Sequence, residues 1–312
     1  MSSIKSISVV IPVTERGDDL LSLFDDYQSS IAETGIDVEY IVVLTHHFTY
    51  LADDLEKKIS DSLPIKIILL NRDYGEAGVL KIGFEHAVFD YILTLPPYEQ
   101  VSPTAIPDFI NSLADNDAIV VNRWPRIDPL PNKIQSLVFR SVLKILAYNV
   151  PKDAGCGIRF ARKEVFEDIK FYGDLHRFFL ILADLAGFKT AEIDVPQSKL
   201  DAHRRIYSLR TYLSRALDIL TVGFLTRFYK KPLRFFGTGG AISALVGLMG
   251  LSYIAIQRIF FDIAAGDRPL LVLFSLFLVL GVQLIAIGLV GETIIFTNSK
   301  DDKEYRIKKI IN

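Results

Sequence analysis

Residues 235–257 read FFGTGGAISALVGLMGLSYIAIQ, and residues 269–296 read PLLVLFSLFLVLGVQLIAIGLVGETIIF. Each stretch can cross a membrane as a helix, because about 22 helical residues rise roughly 33 Å against about 30 Å of hydrocarbon. The preceding sequence has a mixed α/β pattern. We therefore predict a cytoplasmic domain at 1–206, an interfacial amphipathic helix region at 207–234, transmembrane helices at 235–257 and 269–296, and a cytoplasmic basic tail at 297–312.

The basic residues around these stretches predict the topology. The segments outside the two spans carry Arg227, Lys230, Lys231, Arg234, Lys300, Lys303, Arg306, Lys308 and Lys309. The connector carries only Arg258 and Arg268. Lys and Arg accumulate on the cytoplasmic side of membrane proteins. We predict a multi-pass protein of the cell's inner (cytoplasmic) membrane with both termini in the cytoplasm.

Composition excludes some classes of protein. The net charge of −2 gives no extended positive field for nucleic acid, so we expect no nucleic-acid partner. The single cysteine, Cys156, cannot form an internal disulfide, which fits a reducing compartment. The sequence leaves a homo-oligomer open.

The first part of the chain alternates between strand and helix patterns. Apolar runs predict strands at 6–13, 40–44, 66–70, 90–95 and 118–122, and amphipathic spacing predicts helices at 18–30, 50–62, 75–88 and 105–114. This alternation predicts an α/β fold with a mostly parallel, doubly wound sheet. Ligands of such sheets bind beyond the carboxyl ends of the strands. Later segments predict helices at 133–148 and 174–186, a strand at 190–195 and an interfacial helix at 207–229.

Several segments occur in an order that points to one family. They are SVVIPV at 8–13, NRDYGEAGVLKIGFEHA at 71–87, DYILTL at 90–95, RWPRID at 123–128 and DAGCGIRFARKEV at 153–165. With the hairpin behind them, they resemble the membrane-bound glycosyltransferases of family 2, which have the Rossmann-like GT-A fold. The resemblance is strongest to polyprenyl-phosphate glycosyltransferases, relatives of dolichol-phosphate mannose synthase. It implies a hexosyltransferase-like enzyme of cell-envelope glycan biosynthesis, with a nucleotide-sugar, a polyprenyl phosphate and the membrane as partners.

The acceptor side of the predicted site is built from cations and carboxylates. The resemblance implies catalytic roles for Asp153, Arg123, Arg126 and Asp128, and acceptor-phosphate binding by Arg126, Arg159, His176, Arg204 and Arg205. Guanidinium groups suit phosphate, because they donate several hydrogen bonds in a fixed plane. Structural alternatives stay open: surface ion pairs for the loop arginines, a turn role for Asp153, a structural role for His176, and anionic lipid headgroups for Arg204 and Arg205.

The donor side departs from the family. The resemblance implies donor binding by Pro12, Thr14, Glu15, Thr45, Asn71, Gly75 and Gln100. The metal-binding Asp-x-Asp of the family falls at Pro96 and Tyr98, which offer no carboxylate oxygen to Mg²⁺. We therefore expect no metal site and no cofactor, with Mg²⁺ or Mn²⁺ left open. Two hypotheses follow: a glycosyltransferase that moves a sugar onto a polyprenyl phosphate at the cytoplasmic leaflet, or a catalytically silent homologue that binds lipid phosphate and scaffolds a glycan-assembly complex.

Overall fold

The computed structural model describes residues 4–17, 19–59, 64–127, 151–153, 155–169, 173–201, 232–261 and 269–298. The chain divides into two compact units, Met1–Val222 and Gly223–Asn312. The predicted helix at 133–148, the interfacial helix at 207–229 and the tail from 299 lie outside the described residues. The predicted boundary at 206 falls in the same undescribed stretch, so the domain limits stay a prediction.

The first unit is built on a sheet whose strands are β1 (Ser6–Val13), β2 (Asp37–Leu44), β3 (Ile65–Leu69), β4 (Tyr91–Thr94), β5 (Ala118–Arg123), β6 (Arg159–Arg162) and β7 (Thr190–Val195). The seven strands have the order β3-β2-β1-β4-β6-β5-β7. Only β6 runs antiparallel to its neighbours among these strands. The predicted mostly parallel α/β sheet is therefore confirmed.

Helices cover both faces of this sheet, which explains why its central strands are apolar on both sides. The described helices of the unit are α1 (Leu20–Ala32), α2 (Ala52–Glu56), α3 (Gly75–Glu85), α4 (Ile106–Asn111), α5 (Lys163–Asp168) and α6 (Phe179–Leu185). Side chains of α1 and α4 pack with Val9 and Ile11 on one face. Side chains of α3, α5 and α6 pack with Val10 on the other face.

Three predicted helices begin as short 3₁₀ segments instead. These segments are His46–Leu51, Pro103–Ala105 and Gly173–Phe178, and they precede α2, α4 and α6. The sequence HHFTYL of the first segment consists mostly of aromatic and β-branched residues, which lose rotamer freedom in an α-helix. Hydrophobic periodicity therefore predicted where these helical segments lie, but it did not predict that their first turns are 3₁₀ rather than α-helical.

The second unit contains two long helices, α7 (Pro232–Phe261) and α8 (Pro269–Asn298). Both are long and apolar enough to cross a membrane by length and composition. Each extends slightly beyond the predicted span. Glu292 of α8 accepts a hydrogen bond from the backbone N–H of Leu233, 3.4 Å away, in the first turn of α7.

The two helices pack through glycine. A Cβ atom at Gly240 would lie 2.6 Å from the carbonyl oxygen of Gly281, and one at Gly247 would lie 2.5 Å from the backbone nitrogen of Leu278. No side chain fits at those distances, so the helix backbones approach each other closely. Ser243 Oγ also donates to the carbonyl of Phe277 across the interface, at 2.8 Å. Close packing of small residues is a typical way for helices to associate in a bilayer.

Candidate functional site

The loops at the carboxyl ends of β1, β4 and β5 form the candidate site. In the sheet, β1 lies between β2 and β4. From β1 the chain adds β2 and β3 on one side, and it then returns to add β4 on the other side, so the strand order reverses at the β1–β4 boundary. In doubly wound sheets this switch point opens a crevice for ligands. The segment before the antiparallel strand β6 and the segment after β7 end at the same edge, because β6 enters and β7 leaves the sheet there.

Arg123 and Asp153 form the centre of one half of this edge. Arg123 donates from Nε to Asp153 Oδ2 at 2.5 Å and from Nη2 to Asp153 Oδ1 at 2.8 Å. Its Nη1 donates to Asp201 Oδ2 at 2.7 Å. The Arg123 side chain is 0% exposed. One buried guanidinium therefore joins two carboxylates from segments that are distant in the sequence.

Electrostatics keep Asp153 ionised. Burial alone would raise the pKa of this carboxyl group, but the charge and hydrogen bonds of Arg123, with help from Arg126, lower the pKa to about 2. Burial alone would lower the pKa of the Arg123 guanidinium. The nearby Asp153 carboxylate has the larger effect, and the pKa of Arg123 is raised. An Asp with a pKa near 2 is a weak proton acceptor at neutral pH. Asp153 is therefore suited to orient neighbouring cations rather than to act as a general base.

Arg126 differs from Arg123 in its access to solvent. Its Nη1 lies 3.7 Å from Asp153 Oδ1, and 17% of its side chain is exposed. The backbone N–H of Ile127 donates to Gln197 Oε1 at 2.9 Å, and that of Trp124 donates to the carbonyl of Val195 at 2.9 Å. These bonds fix the loop on the end of β7 and on the segment that follows it. Arg126 is thus a held cation that can still face a ligand.

The structure corrects the predicted role of Arg123. The resemblance implied a catalytic role for this residue, but its guanidinium is fully buried and bonded to Asp153 and Asp201, so it does not face a ligand. Its role here is to position Asp153. The predicted partner Asp128 lies outside the described residues.

A second charge cluster, around a Glu76 side chain that is 34% exposed, corrects two more predictions. His176 Nε2 lies 3.0 Å from Glu76 Oε2, and both His176 and Arg159 are buried. Burial would raise the pKa of Glu76, but the hydrogen bond and charge of His176, together with the charges of Arg159 and Arg177, lower it to about 2. Burial lowers the pKa of Arg159. Both predicted phosphate ligands thus lie inside the protein beside Glu76, which does not support contact with a phosphate.

The remaining predicted acceptor ligands, Arg204 and Arg205, lie outside the described residues. Sequence reasoning missed Asp201, Gln197 and Glu76. Asp201 is 78 residues from Arg123 along the chain, and no local spacing or motif links a carboxylate to an arginine at that distance. Glu76 lies inside the recognised segment 71–87, where its position in the first turn of α3 was the available signal.

Comparison with known proteins now identifies the architecture. Residues 8–170 match the family described as Glycosyl transferase family 2. The chain belongs to glycosyl transferase family 2. This glycosyltransferase is also similar along its whole length to curated proteins named undecaprenyl-phosphate 4-deoxy-4-formamido-L-arabinose transferase. The protein of that name from Pectobacterium carotovorum subsp. carotovorum (strain PC1) is 29% identical over 317 residues, which cover 100% of this chain and 95% of the relative.

Another relative of the same name, from Photorhabdus laumondii subsp. laumondii, is 28% identical over 313 residues, with 99% of this chain and 95% of the relative covered. Among solved structures, glucosyl-3-phosphoglycerate synthase from Mycobacterium tuberculosis in complex with uridine-diphosphate gives a TM-score of 0.51 at 12% identity, covering 70% of this chain and 79% of that chain. A crystal structure of a mycobacterial protein gives a TM-score of 0.55 at 16% identity, covering 72% of this chain and 74% of that chain. These likenesses show the GT-A fold of the glycosyltransferase.

Three of the predicted donor-binding residues of the glycosyltransferase are buried. Pro12 is buried inside β1. The buried Thr45 hydroxyl donates to the carbonyl of Val13 at 3.1 Å, so Thr45 joins the ends of β1 and β2. Gln100 is buried and accepts a hydrogen bond from the Gly157 N–H at 2.8 Å. These three side chains are buried inside the protein and do not face a donor, which corrects the prediction for Pro12, Thr45 and Gln100.

Other predicted donor residues are accessible. Glu15 is exposed and Thr14 is half-buried in the loop after β1. Asn71 is exposed, and its Oδ1 accepts from the Tyr74 hydroxyl at 3.2 Å. Gly75 begins α3 with a φ of +70°, a conformation that favours glycine. Their donor-binding roles stay predictions.

The residues at the family's metal position do not fit a divalent metal. Pro96 has no side-chain ligand atom, and the Tyr98 hydroxyl accepts a hydrogen bond from Gln100 Nε2 at 2.8 Å. Glu99 Oε1 accepts from Ser198 Oγ at 2.6 Å. In the part of the chain that the structure describes, no group of three His, Cys, Asp or Glu side chains is arranged to hold a metal ion. Mg²⁺ prefers octahedral oxygen coordination supported by carboxylates, which this set does not provide.

Proposed function

We propose that this chain is a membrane-anchored glycosyltransferase that moves a sugar from a nucleotide-sugar to a polyprenyl phosphate. The observation that carries this proposal is full-length similarity to undecaprenyl-phosphate sugar transferases. That similarity covers the α/β unit and also both apolar helices. The relatives' name suggests 4-deoxy-4-formamido-L-arabinose, or a sugar of similar size, as the transferred group.

The reaction needs positioned charge more than a strong base. A phosphate monoester is largely dianionic at neutral pH, because its second pKa is about 6. One of its oxygens forms a bond to the anomeric carbon of the sugar, and the bond from that carbon to the donor diphosphate breaks. The electron pair leaves with the diphosphate, so no proton has to be removed from the dianion. The donor, a diphosphate diester, carries about two negative charges, and the acceptor dianion carries about two more. The products are a nucleoside diphosphate with about three negative charges and a phosphodiester with about one, so the total charge is unchanged.

Arg126 and Asp153 support this reaction on the acceptor side. Asp153 is held ionised by Arg123 and lies 3.7 Å from the Arg126 guanidinium, which is partly exposed at the edge of the sheet. A guanidinium held by a buried carboxylate can bind a phosphate with little loss of side-chain entropy. Arg126 would bind the acceptor phosphate, and Asp153 would orient Arg126.

The test is a transfer assay on the purified full chain in lipid vesicles. Polyprenyl phosphate is offered with a panel of radiolabelled nucleotide-sugars that includes a nucleoside-diphosphate form of 4-deoxy-4-formamido-L-arabinose. We expect a labelled lipid product with at least one donor, and an Arg162→Ala control should retain this activity. Arg162 is exposed at the end of β6, where it pairs with Asp117. Lipid binding without transfer from any donor would instead favour the silent homologue.

We propose further that both termini face the cytoplasm and that the connector between the helices faces the opposite side. The Lys and Arg distribution given above supports this arrangement. In a Cys156→Ser background, a cysteine introduced by Ala265→Cys should react with an impermeant thiol reagent in intact cells, whereas one introduced by Asn312→Cys should not. Labelling only at position 312 would reverse the proposed topology.

A further inference from the structure

Arg16 and Tyr98 meet at the switch point of the sheet. Arg16 lies in the loop after β1, and Tyr98 lies in the loop after β4, the strand beside β1. The Cζ atom of Arg16 lies 4.9 Å from the centroid of the Tyr98 ring. This distance is within the range of a cation–π interaction. A guanidinium is thus stacked on the aromatic residue that replaces the second carboxylate of the family's metal motif.

The backbone holds Arg16 in a special conformation. Its φ is +58°, in the left-handed region that a residue with a Cβ atom seldom occupies. The next residue is Gly17, where an added Cβ atom would lie 2.7 Å from the Phe48 ring. The loop therefore packs tightly against the segment after β2. Strained residues held by their surroundings are concentrated at functional sites.

Tyr98 is fixed from the other side. Its hydroxyl accepts from Gln100 Nε2 at 2.8 Å, and Gln100 Oε1 accepts from the Gly157 N–H at 2.8 Å. Gly157 lies in the segment between Asp153 and β6. The ring under Arg16 is therefore tied by hydrogen bonds to the segment that carries the acceptor-side carboxylate.

We propose that Arg16, stacked on Tyr98, binds the donor diphosphate and supplies the positive charge that a divalent metal supplies elsewhere in the family. This inference rests on the proposed function for the identity of the donor. It is motivated by the misfit of residues 96 and 98 with a metal and by the cation found at the same place. A guanidinium suits this task, because its planar donors match phosphate oxygens and its charge is permanent.

The chemical demand on this site is clear. When the bond between the anomeric carbon and the diphosphate breaks, the leaving nucleoside diphosphate gains one negative charge. A fixed cation stabilises that charge without having to reorganise during the reaction. Stacking on the Tyr98 ring fixes the plane of the guanidinium, and the N–H donors that match phosphate oxygens lie in that plane. Arg16 would therefore be a catalytic residue of the donor side, and Tyr98 its positioning residue.

Inorganic pyrophosphate is the probe for this site, since it carries the diphosphate without any sugar or base. We would measure its binding to the full chain in detergent by titration calorimetry, in EDTA and in Mg²⁺. We expect binding in EDTA and a loss of about ten- to hundredfold in affinity for Arg16→Ala, the scale of a hydrogen bond to a charged group. Arg16→Lys, which keeps the charge but loses the planar donors, should fall between the two.

Arg72→Ala is the matched control. Arg72 also stacks on a tyrosine, with its Cζ atom 4.6 Å from the centroid of the Tyr74 ring, but it lies in the loop after β3, away from the β1–β4 boundary. Its loss should change pyrophosphate affinity less than twofold, on the scale of a surface substitution. Equal losses for Arg16→Ala and Arg72→Ala would reduce the effect to general surface charge and overturn the inference.

Transfer kinetics separate this inference from the proposed function. With an active donor, turnover should persist in EDTA, and Arg16→Ala should lower kcat as well as kcat/KM, because the interaction strengthens as charge develops. Strict dependence of wild-type pyrophosphate binding or turnover on Mg²⁺ or Mn²⁺ would overturn the inference, and so would absence of pyrophosphate binding under both conditions. If no donor is turned over but pyrophosphate binding in EDTA depends on Arg16, the proposed function fails while the diphosphate site stands.

Discussion

The two halves of the carboxyl edge hold their cations differently. Around Asp153, the guanidinium of Arg123 is fully buried and bonded to two carboxylates. At the β1–β4 boundary, Arg16 is half-buried and stacks on the Tyr98 ring. The acceptor half is therefore part of the folded core, where a single substitution leaves buried charges unpaired. In the donor half, Arg16 lies outside the core, so this residue can change without unfolding the protein, and the departures from the family pattern are found in this half.

The largest expected effect is on stability in the acceptor half. Arg123→Met leaves Asp153 and Asp201 buried without their guanidinium, and such a loss costs about 3–5 kcal/mol of unfolding free energy. The measurement is urea denaturation of the full chain in detergent, followed by the fluorescence of the single tryptophan, Trp124. Arg16→Ala should cost less than about 1 kcal/mol, as expected for a partly exposed side chain outside the core. Equal costs for the two variants would remove the distinction between the halves.

The contribution of the buried Arg123–Asp153 pair to folding stability should be lost in acid. Because the Asp153 pKa is lowered from 3.8 to about 2 in the folded protein, its ionised form stabilises the fold above about pH 4, and this stabilisation is lost as the pH falls through about 2. The shift corresponds to about 2 kcal/mol. The stability advantage of the wild type over Asp153→Asn should therefore shrink by that amount between pH 6 and acid, in urea denaturation at a series of pH values spanning roughly four units. An advantage that stays constant with pH would mean that the charge of Asp153 contributes nothing.

Binding of the lipid phosphate should separate Arg126 from its buried neighbour. Arg126→Ala should weaken polyprenyl phosphate binding by about 1.5–3 kcal/mol while leaving the urea midpoint close to that of the wild type, because the side chain carries little of the core. Lys152→Ala is the control, since Lys152 is an exposed cation that pairs loosely with Asp194 at 3.9 Å. Flotation of the protein with vesicles containing polyprenyl phosphate gives the affinities. Unchanged binding by Arg126→Ala would show that the loop does not hold the acceptor.

The smallest effect is expected from rebuilding the family's metal motif. Pro96→Asp with Tyr98→Asp should raise Mg²⁺ affinity by about 1.4 kcal/mol, or roughly tenfold, as measured by titration calorimetry. The transfer rate should not rise, because the change also removes the ring beneath Arg16. A rate increase in Mg²⁺ would show that the donor half still works best with a metal.

The fold could be predicted further than the site. Apolar runs and their spacing predicted the order of strands and helices, because burial on both faces of the sheet leaves a continuous apolar pattern in each strand. Burial of single polar residues could not be predicted in this way. Arginine is rarely fully buried, so Arg123 was assigned a catalytic role, and its contacts with Asp153 and the distant Asp201 explain its place in the core. His176 and Arg159 misled for the same reason, since their partner Glu76 comes from a different element.

On the donor side, the sequence could predict only where this chain differs from the family's motif. The sequence alone places Pro96 and Tyr98 where the family has aspartates, but it gives no sign that Arg16 lies against Tyr98. Their meeting over the β1–β4 boundary depends on the strand order and on the left-handed turn at Arg16, which is a property of the folded backbone.

The glycine contacts between α7 and α8 have a kinetic consequence. Backbones as close as those at Gly240 and Gly281 leave no room for a lipid chain between the described lengths of the two helices. For the proposed reaction, each polyprenyl phosphate must then arrive by lateral diffusion around the outside of the hairpin and depart by the same route. The rate of supply should follow the mole fraction of the lipid in the bilayer rather than its bulk concentration. Diluting the vesicles at fixed composition should leave turnover unchanged, whereas diluting the substrate lipid with inert lipid should slow it.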